Sequence, residues 1–340
     1  MLKKLSKDKV KEWLNSLSES NRVLAPVDRG GAVIFASYTG GEELKLNSFA
    51  VNSPKEALFP SSERMFSYSY DKTEDETNIN IETPVDGQKS IVFGARPCDA
   101  RGVSIFDAVY AGKGYQDPYF KAKQESTTWV VTGCNDPDNA CFCTSVGGNP
   151  YDTTGADVLL TDMGEGYLVE GLTEKGNLLL NHAVFEDVNN QEEKNIEEIK
   201  SKATKGVKTA FQLEGIIERL KDSFGSGYWQ KESDRCLSCG ICTFVCPTCY
   251  CFNITDDDCE SGGERIRSWD ACMSSMFTLE ASGHNPRANK SQRLRQRINH
   301  KFNYHPAKYG MFGCMGCGRC VRHCPVSIDI RKIINEVSNV

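Results

Sequence analysis

Eight of the sixteen cysteines fall into two copies of one pattern. The first copy is Cys236, Cys239, Cys242 and Cys246, followed by Pro247. The second is Cys314, Cys317, Cys320 and Cys324, followed by Pro325. Each reads C-x2-C-x2-C-x3-C-P, the bacterial ferredoxin spacing for [4Fe–4S] ligation. Three thiolates on one tight loop can cap three irons of a cubane. The fourth lies just beyond, on a turn that the proline helps to end. In two-cluster ferredoxins that fourth cysteine serves the other cluster. The spacing therefore predicts one cluster on Cys236, Cys239, Cys242 and Cys324, and a second on Cys314, Cys317, Cys320 and Cys246. Gly240 and Gly318 are expected where backbone must approach sulfur closely. Two four-cysteine zinc sites are the competing reading. Zinc sites usually draw two ligands from each of two short knuckles, and need neither the tripled spacing nor the proline.

A second group is Cys98, Cys134, Cys141 and Cys143. Cys98 and Cys134 each follow a predicted buried strand, at Ser90 to Phe93 and at Trp129 to Val131. If those strands are parallel neighbours, both thiols emerge at one edge of the sheet, where α/β folds place their sites. Cys141 and Cys143 add two thiols from a Gly- and Asp-rich loop. The four make one complete ligand set, read as a third [4Fe–4S] cluster. A structural zinc, or unligated thiols packed as small hydrophobes, are the alternatives. Cys249, Cys251, Cys259 and Cys272 remain. They are expected to pack beside the second cluster rather than to bind a further metal, with Cys259 exposed in an acidic run. His284, His300, His305 and His323 read as structural, since none has a matched partner. Arg287, Lys290, Arg293, Arg295, Arg297 and Lys301 form a basic run. It is read as a solvated or internally paired helix face, or a docking face, in preference to a nucleic-acid patch. No Walker A loop, dinucleotide G-x-G-x-x-G or nucleophile elbow is visible, so no catalytic residue is assigned.

The elements that must hold these thiols follow from periodicity. A helix is predicted over residues 6–17, with Val10, Trp13, Leu14 and Leu17 on one face. Strands at 23–25 and 32–35 flank a Gly30-Gly31 turn. Residues 71–76 read as a solvated acidic loop. Strand 90–93, helix 100–111, strand 129–131 and strands near 157–160 and 167–169 alternate as in an α/β domain, with α+β as the alternative. Helices are predicted at 191–205, 208–224, 270–281 and 290–301. Residues 225–227 read as a linker. The chain is thus divided into an α/β domain, 1–228, carrying the extra iron–sulfur site, and a ferredoxin-like dicluster domain, 229–340, with a long insertion at 248–313.

The chain has 340 residues, 39% of them hydrophobic, and a net charge of -6. That balance disfavours nucleic-acid binding. Cysteines grouped in this way suit metal ligation in a reducing compartment rather than a disulfide scaffold. No signal peptide or membrane-length apolar run is visible, so a soluble, cytoplasmic protein is expected.

Several runs resemble one known family. They are Gly94 to Arg101, Cys141 to Ser145, Cys246 to Phe252, Trp269 to Cys272, Gly283 to Arg287 and His300 to Phe302. The family comprises the 4Fe–4S dicluster subunits of sulfhydrogenases, where it is the beta subunit, and of anaerobic sulfite reductase. The resemblance covers most of the chain beyond about residue 85 and is looser before it. It implies an electron-transfer subunit of an anaerobic, cytoplasmic oxidoreductase complex. Its neighbours would be a flavin- and NAD(P)-binding reductase subunit, which carries the FAD, and a terminal subunit. The terminal subunit would be a hydrogenase, a sulfite reductase or a heterodisulfide-reductase-like module. Two rival functions are a self-sufficient reductase with substrate at the Cys98 site and an iron–sulfur nucleic-acid-binding protein.

Overall fold

The structure is a computed structural model that describes residues 1–72, 76–112 and 114–337. The N-terminal part contributes strands β1 (Leu2–Ser6), β2 (Arg22–Arg29), β3 (Ala32–Ser37), β4 (Ser62–Lys72) and β5 (Thr77–Glu82). They are followed by β6 (Ser90–Ala95), β7 (Thr127–Thr132), β8 (Val158–Asp162) and β9 (Gly166–Gly171). Two further strands, β10 (Phe252–Cys259) and β11 (Gly262–Trp269), form a hairpin between the two cysteine motifs.

Seven strands make the main sheet, in the order β1-β9-β8-β7-β6-β2-β3. Its centre, β2-β6-β7-β8, is parallel, and antiparallel strands close both sides. Side chains alternate across a strand, so each central strand feeds two cores. Ile91, Phe93, Val130, Val158 and Leu160 join Trp13 and Leu14 on one face. Val92, Ala95, Trp129, Val131 and Leu159 join Phe106 and Tyr110 on the other. Burial on both faces is why these strands are short apolar runs. This is a mixed α/β architecture, as the alternation of strands and helices predicts.

Several sequence expectations are corrected. Only Ile216–Asp222 of residues 208–224 is α-helical. The preceding stretch is pinned by tertiary contacts instead: Ala210 N donates to Ser145 Oγ at 2.8 Å, and Phe211 packs on Phe142 and Phe302. Residues 270–281 form turns rather than a helix. There Asn285 Nδ2 donates to Ser275 O and Thr278 Oγ1 donates to Asn285 Oδ1, side-chain bonds that compete with helix formation. Within the expected loop at 71–76, Asp71 lies on β4 and pairs with Asn78; residues 73–75 lie outside the described residues. Helix Lys290–Asn299 forms as predicted and runs into a π-helical turn, His300–Tyr304.

The hairpin also ties the two halves of the chain together. A second, antiparallel sheet has the order β10-β11-β4-β5, so an early strand pairs with the insertion. Around the cysteine motifs lies a third core, with Phe142, Phe211, Trp229, Leu294, Phe302 and Ile333. The short helices within each motif, Ile241–Phe244 and Arg319–Arg322, pack against each other.

Candidate metal centres

Each motif turns on a glycine in the left-handed region, Gly240 at φ 74° and Gly318 at φ 73°. A side chain there would be strained. At Gly318 it would also meet the Ala140 carbonyl at 2.6 Å, and at Gly316 the Cys143 backbone nitrogen at 2.5 Å. The neighbour that needs the space is therefore the backbone of residues 140–143. Phe142 N donates to Gly316 O at 2.8 Å, which seats that loop on the second motif.

One cavity is lined by Cys236, Cys239, Cys242 and Cys324. A second is lined by Cys246, Cys314, Cys317 and Cys320. The fourth cysteine of each motif thus stands at the other motif's cavity, the crossed arrangement that the spacing predicts. Cys320 and Arg297 line both cavities. Backbone N–H groups point at sulfur: Ser238 N donates to Cys236 Sγ at 3.4 Å, and Ile328 N to Cys324 Sγ at 3.2 Å. Such bonds are among the levers that set iron–sulfur potentials. Burial pushes the Cys242 and Cys314 thiols up to about 11. Contact with Cys98 brings Cys317 down to about 7. Metal binding would replace the protons that burial otherwise retains.

Three buried cations face these sulfurs: Lys55, Arg297 and Lys301. Lys301 Nζ donates to Cys246 Sγ at 3.5 Å, and Arg297 Nη1 to Cys249 Sγ at 3.4 Å. Lys55 Nζ donates to Cys249 O at 3.0 Å and sits over the Trp269 ring. Among the described residues none of the three pairs with a carboxylate. Buried charge needs a counter-charge. An anionic thiolate-ligated cluster would supply one here, so the residues present fit a [4Fe–4S] group at both motifs.

β6 and β7 are parallel neighbours, and Cys98 and Cys134 follow their carboxyl ends. Cys134, Cys141 and Cys143 lie within one another's electrostatic reach. Burial pushes Cys143 up to about 12. Cys98 instead touches Cys317 of the second motif, and Cys141 also feels Cys317. The second group of thiols therefore adjoins the second motif directly. Arg319 fixes the junction. Its guanidinium makes two bonds to Asp99, at 2.6 and 2.9 Å, and one to Ala50 O.

Sequence reasoning missed Asp99 and Arg319 as a pair, although Arg319 lies inside a motif. It saw Arg297 and Lys301 only as part of a basic run. Lys290, Arg293, Arg295, Arg297 and Lys301 all bond within the chain. Cys259 is exposed at the end of β10. Cys249, Cys251 and Cys272 share a separate cavity with His300 and His305.

Two crossed thiol cavities with buried counter-cations define a dicluster iron–sulfur protein. A family model described as a 4Fe-4S dicluster domain matches residues 235–328. The chain is 33% identical over 339 residues to sulfhydrogenase 2 subunit beta of Pyrococcus furiosus, an alignment covering 98% of this chain and 97% of the relative. The chain belongs to the family of 4Fe–4S dicluster subunits that includes this beta subunit, and is an iron–sulfur electron-transfer subunit of an oxidoreductase. No solved structure matches it. Among the described residues no helix is long and apolar enough to cross a membrane.

Proposed function

We propose that this chain relays electrons in the cytoplasm between a reductase subunit that binds flavin and NAD(P) and a terminal catalytic subunit. The terminal subunit is a hydrogenase, a sulfite reductase or a heterodisulfide-reductase-like module. One observation carries the reading: the thiol cavities are contiguous and reach the surface at one end. Cys320 lines both motif cavities, and Cys239 of the first is exposed. In this proposal Cys236, Cys239, Cys242 and Cys324 hold the outermost cluster. Cys314, Cys317, Cys320 and Cys246 hold an inner one. Cys98, Cys134, Cys141 and Cys143 hold a third, and the contact of Cys98 with Cys317 supports its place next in line. The clusters supply the one-electron chemistry. The protein excludes water, donates N–H bonds to sulfur and balances the charge with Lys55, Arg297 and Lys301. FAD is assigned to the partner subunit.

The test uses full-length protein reconstituted under anaerobic conditions. Dithionite should give [4Fe–4S]+ EPR signals, and NADH alone should not. Adding the flavoprotein partner should make NADH an effective reductant. Cys134→Ala should lower the iron content by about four per chain, one cluster's worth, with the ferredoxin-type signals retained. Stoichiometric zinc at the motifs, or rapid NADH oxidation by the chain alone, would overturn the reading.

A further inference from the structure

Cys249, Cys251, Cys272, His300, His305 and Lys301 line one cavity. The inner motif cavity adjoins it, and Arg297 and Lys301 line both. Cys251 lies against Cys272, whose backbone N–H also bonds to the Cys251 sulfur. Cys249 touches Cys246 of the neighbouring cavity. This arrangement gathers three thiols at a site where sequence reasoning weighed a further metal and favoured packing.

His305 supplies an independent observation. It is 2% exposed, and its Nδ1 lies 2.8 Å from Met311 O. A carbonyl only accepts, so Nδ1 holds the ring proton and Nε2 carries a lone pair. That Nε2 is buried and has no partner. An unsatisfied buried acceptor costs free energy. An imidazole held through Nδ1–H by a backbone carbonyl, with Nε2 free, has the form of a metal ligand. The neighbouring His300 differs, because its Nε2 is engaged by Tyr250 OH at 3.0 Å. The cavity wall also contains a π-helical turn, His300–Tyr304, of the kind that clusters at functional sites.

Charge points the same way. Lys55, Arg297 and Lys301 are all buried within this wall or against it, and the bonds of Arg297 to Cys249 and of Lys55 to the Cys249 carbonyl direct two of them toward this cavity. A cluster in this cavity would lie within reach of the same cations that face the inner motif.

We propose that Cys249, Cys251 and Cys272, with His305 Nε2 as the fourth ligand, hold a further [4Fe–4S] cluster beside the inner motif. Three thiolates and an imidazole make a site less anionic than a four-thiolate one. The bound cluster would satisfy the orphaned Nε2. The inference shares the iron–sulfur reading of the chain but does not depend on which partner exchanges electrons with it.

The test compares reconstituted full-length parent, Cys272→Ser and His305→Cys proteins by iron and zinc content and by pulsed EPR after dithionite reduction. The parent should show hyperfine coupling to an imidazole nitrogen. Cys272→Ser should lose about four irons per chain and that coupling, while the two ferredoxin-type signals stay. His305→Cys should keep its iron and lose only the nitrogen coupling. Unchanged iron in Cys272→Ser, one zinc per chain that this variant loses, or absence of nitrogen coupling in the parent would each overturn the proposal. Loss of the ferredoxin-type signals from the parent itself would instead overturn the relay reading.

Discussion

At the scale of single residues, the Asp99–Arg319 pair decides how the α/β sheet meets the iron–sulfur motifs. Both side chains are fully buried. Asp99 also accepts from Arg96 N, completing the cap of helix Pro97–Tyr110, the helix that carries Cys98. Asp99→Asn keeps the shape and the capping oxygen but removes the charge opposite Arg319. Removing one partner of a buried ion pair costs about 3–5 kcal/mol. Anaerobic urea unfolding followed by circular dichroism should show that loss as a lower midpoint. An unchanged midpoint would mean that water or a cluster already compensates Arg319. The motif cysteines were legible because ligand chemistry imposes their spacing. The cations facing them were not. Lys55 precedes Cys249 by 194 residues, and only folding shows that an isolated lysine balances a distant sulfur site. The glycines were read in part. Gly318 does need its missing Cβ, but for the Ala140 backbone rather than for sulfur.

At the scale of elements, the central strands were legible and the second sheet was not. β6 and β7 are buried on both faces, so Ile91, Val92 and Phe93, or Trp129, Val130 and Val131, leave an unbroken apolar signature. β10 is exposed along its whole length and contains Asp256, Asp257 and Asp258, which show in the sequence only as a solvent-exposed acidic run. It pairs with β11 across a tight turn, and β11 in turn pairs with β4 from far earlier in the chain. Arg267 on β11 is the anchor. It is buried and bonds to Glu63 on β4 and to Asp117, the N-cap of helix Pro118–Ser126. Lys123 also pairs with Glu63. Arg267→Gln should therefore leave Asp117 as the poorer-compensated carboxylate, at a cost on the order of 3 kcal/mol. Hydrogen–deuterium exchange should show faster exchange in β4 and β11, with β6 to β8 still protected. Equal protection in those strands would assign the hairpin's hold to backbone pairing alone. The failed helix at 208–224 teaches the same lesson from the other side. Its apolar stripe is real, since Ile216 and Leu220 are buried, but Gly215 at φ 66° starts the helix late. The contacts of Ala210 and Phe211 override propensity before it.

At the scale of the whole molecule, the thiol sites run from surface to interior. Cys239 is exposed, whereas Cys246 and Cys314 are buried, and Cys98 links the second motif to the sheet edge. A relay needs one end that a partner can approach and an interior that solvent cannot reach. Leu237 is 64% exposed on the rim of the outer cavity, adjacent in sequence to no buried anchor and not required by the cores. An exposed apolar residue beside the outer thiol cavity is available to a partner's apolar surface, and covering it would contribute to binding. Leu237→Lys replaces that contact with a hydrated charge. Its iron content and visible spectrum should match the parent's. Reduction by dithionite or a small viologen should proceed at the parental rate, because those donors need no docking. Electron transfer with the protein partner that docks there should fall roughly tenfold, the effect of losing about 1.4 kcal/mol of binding. The variant should be assayed separately with the proposed flavoprotein and the proposed terminal subunit, and the partner whose rate falls is the one that uses the Cys239 end. Parental rates with both would place the exchange of electrons at another face of the molecule.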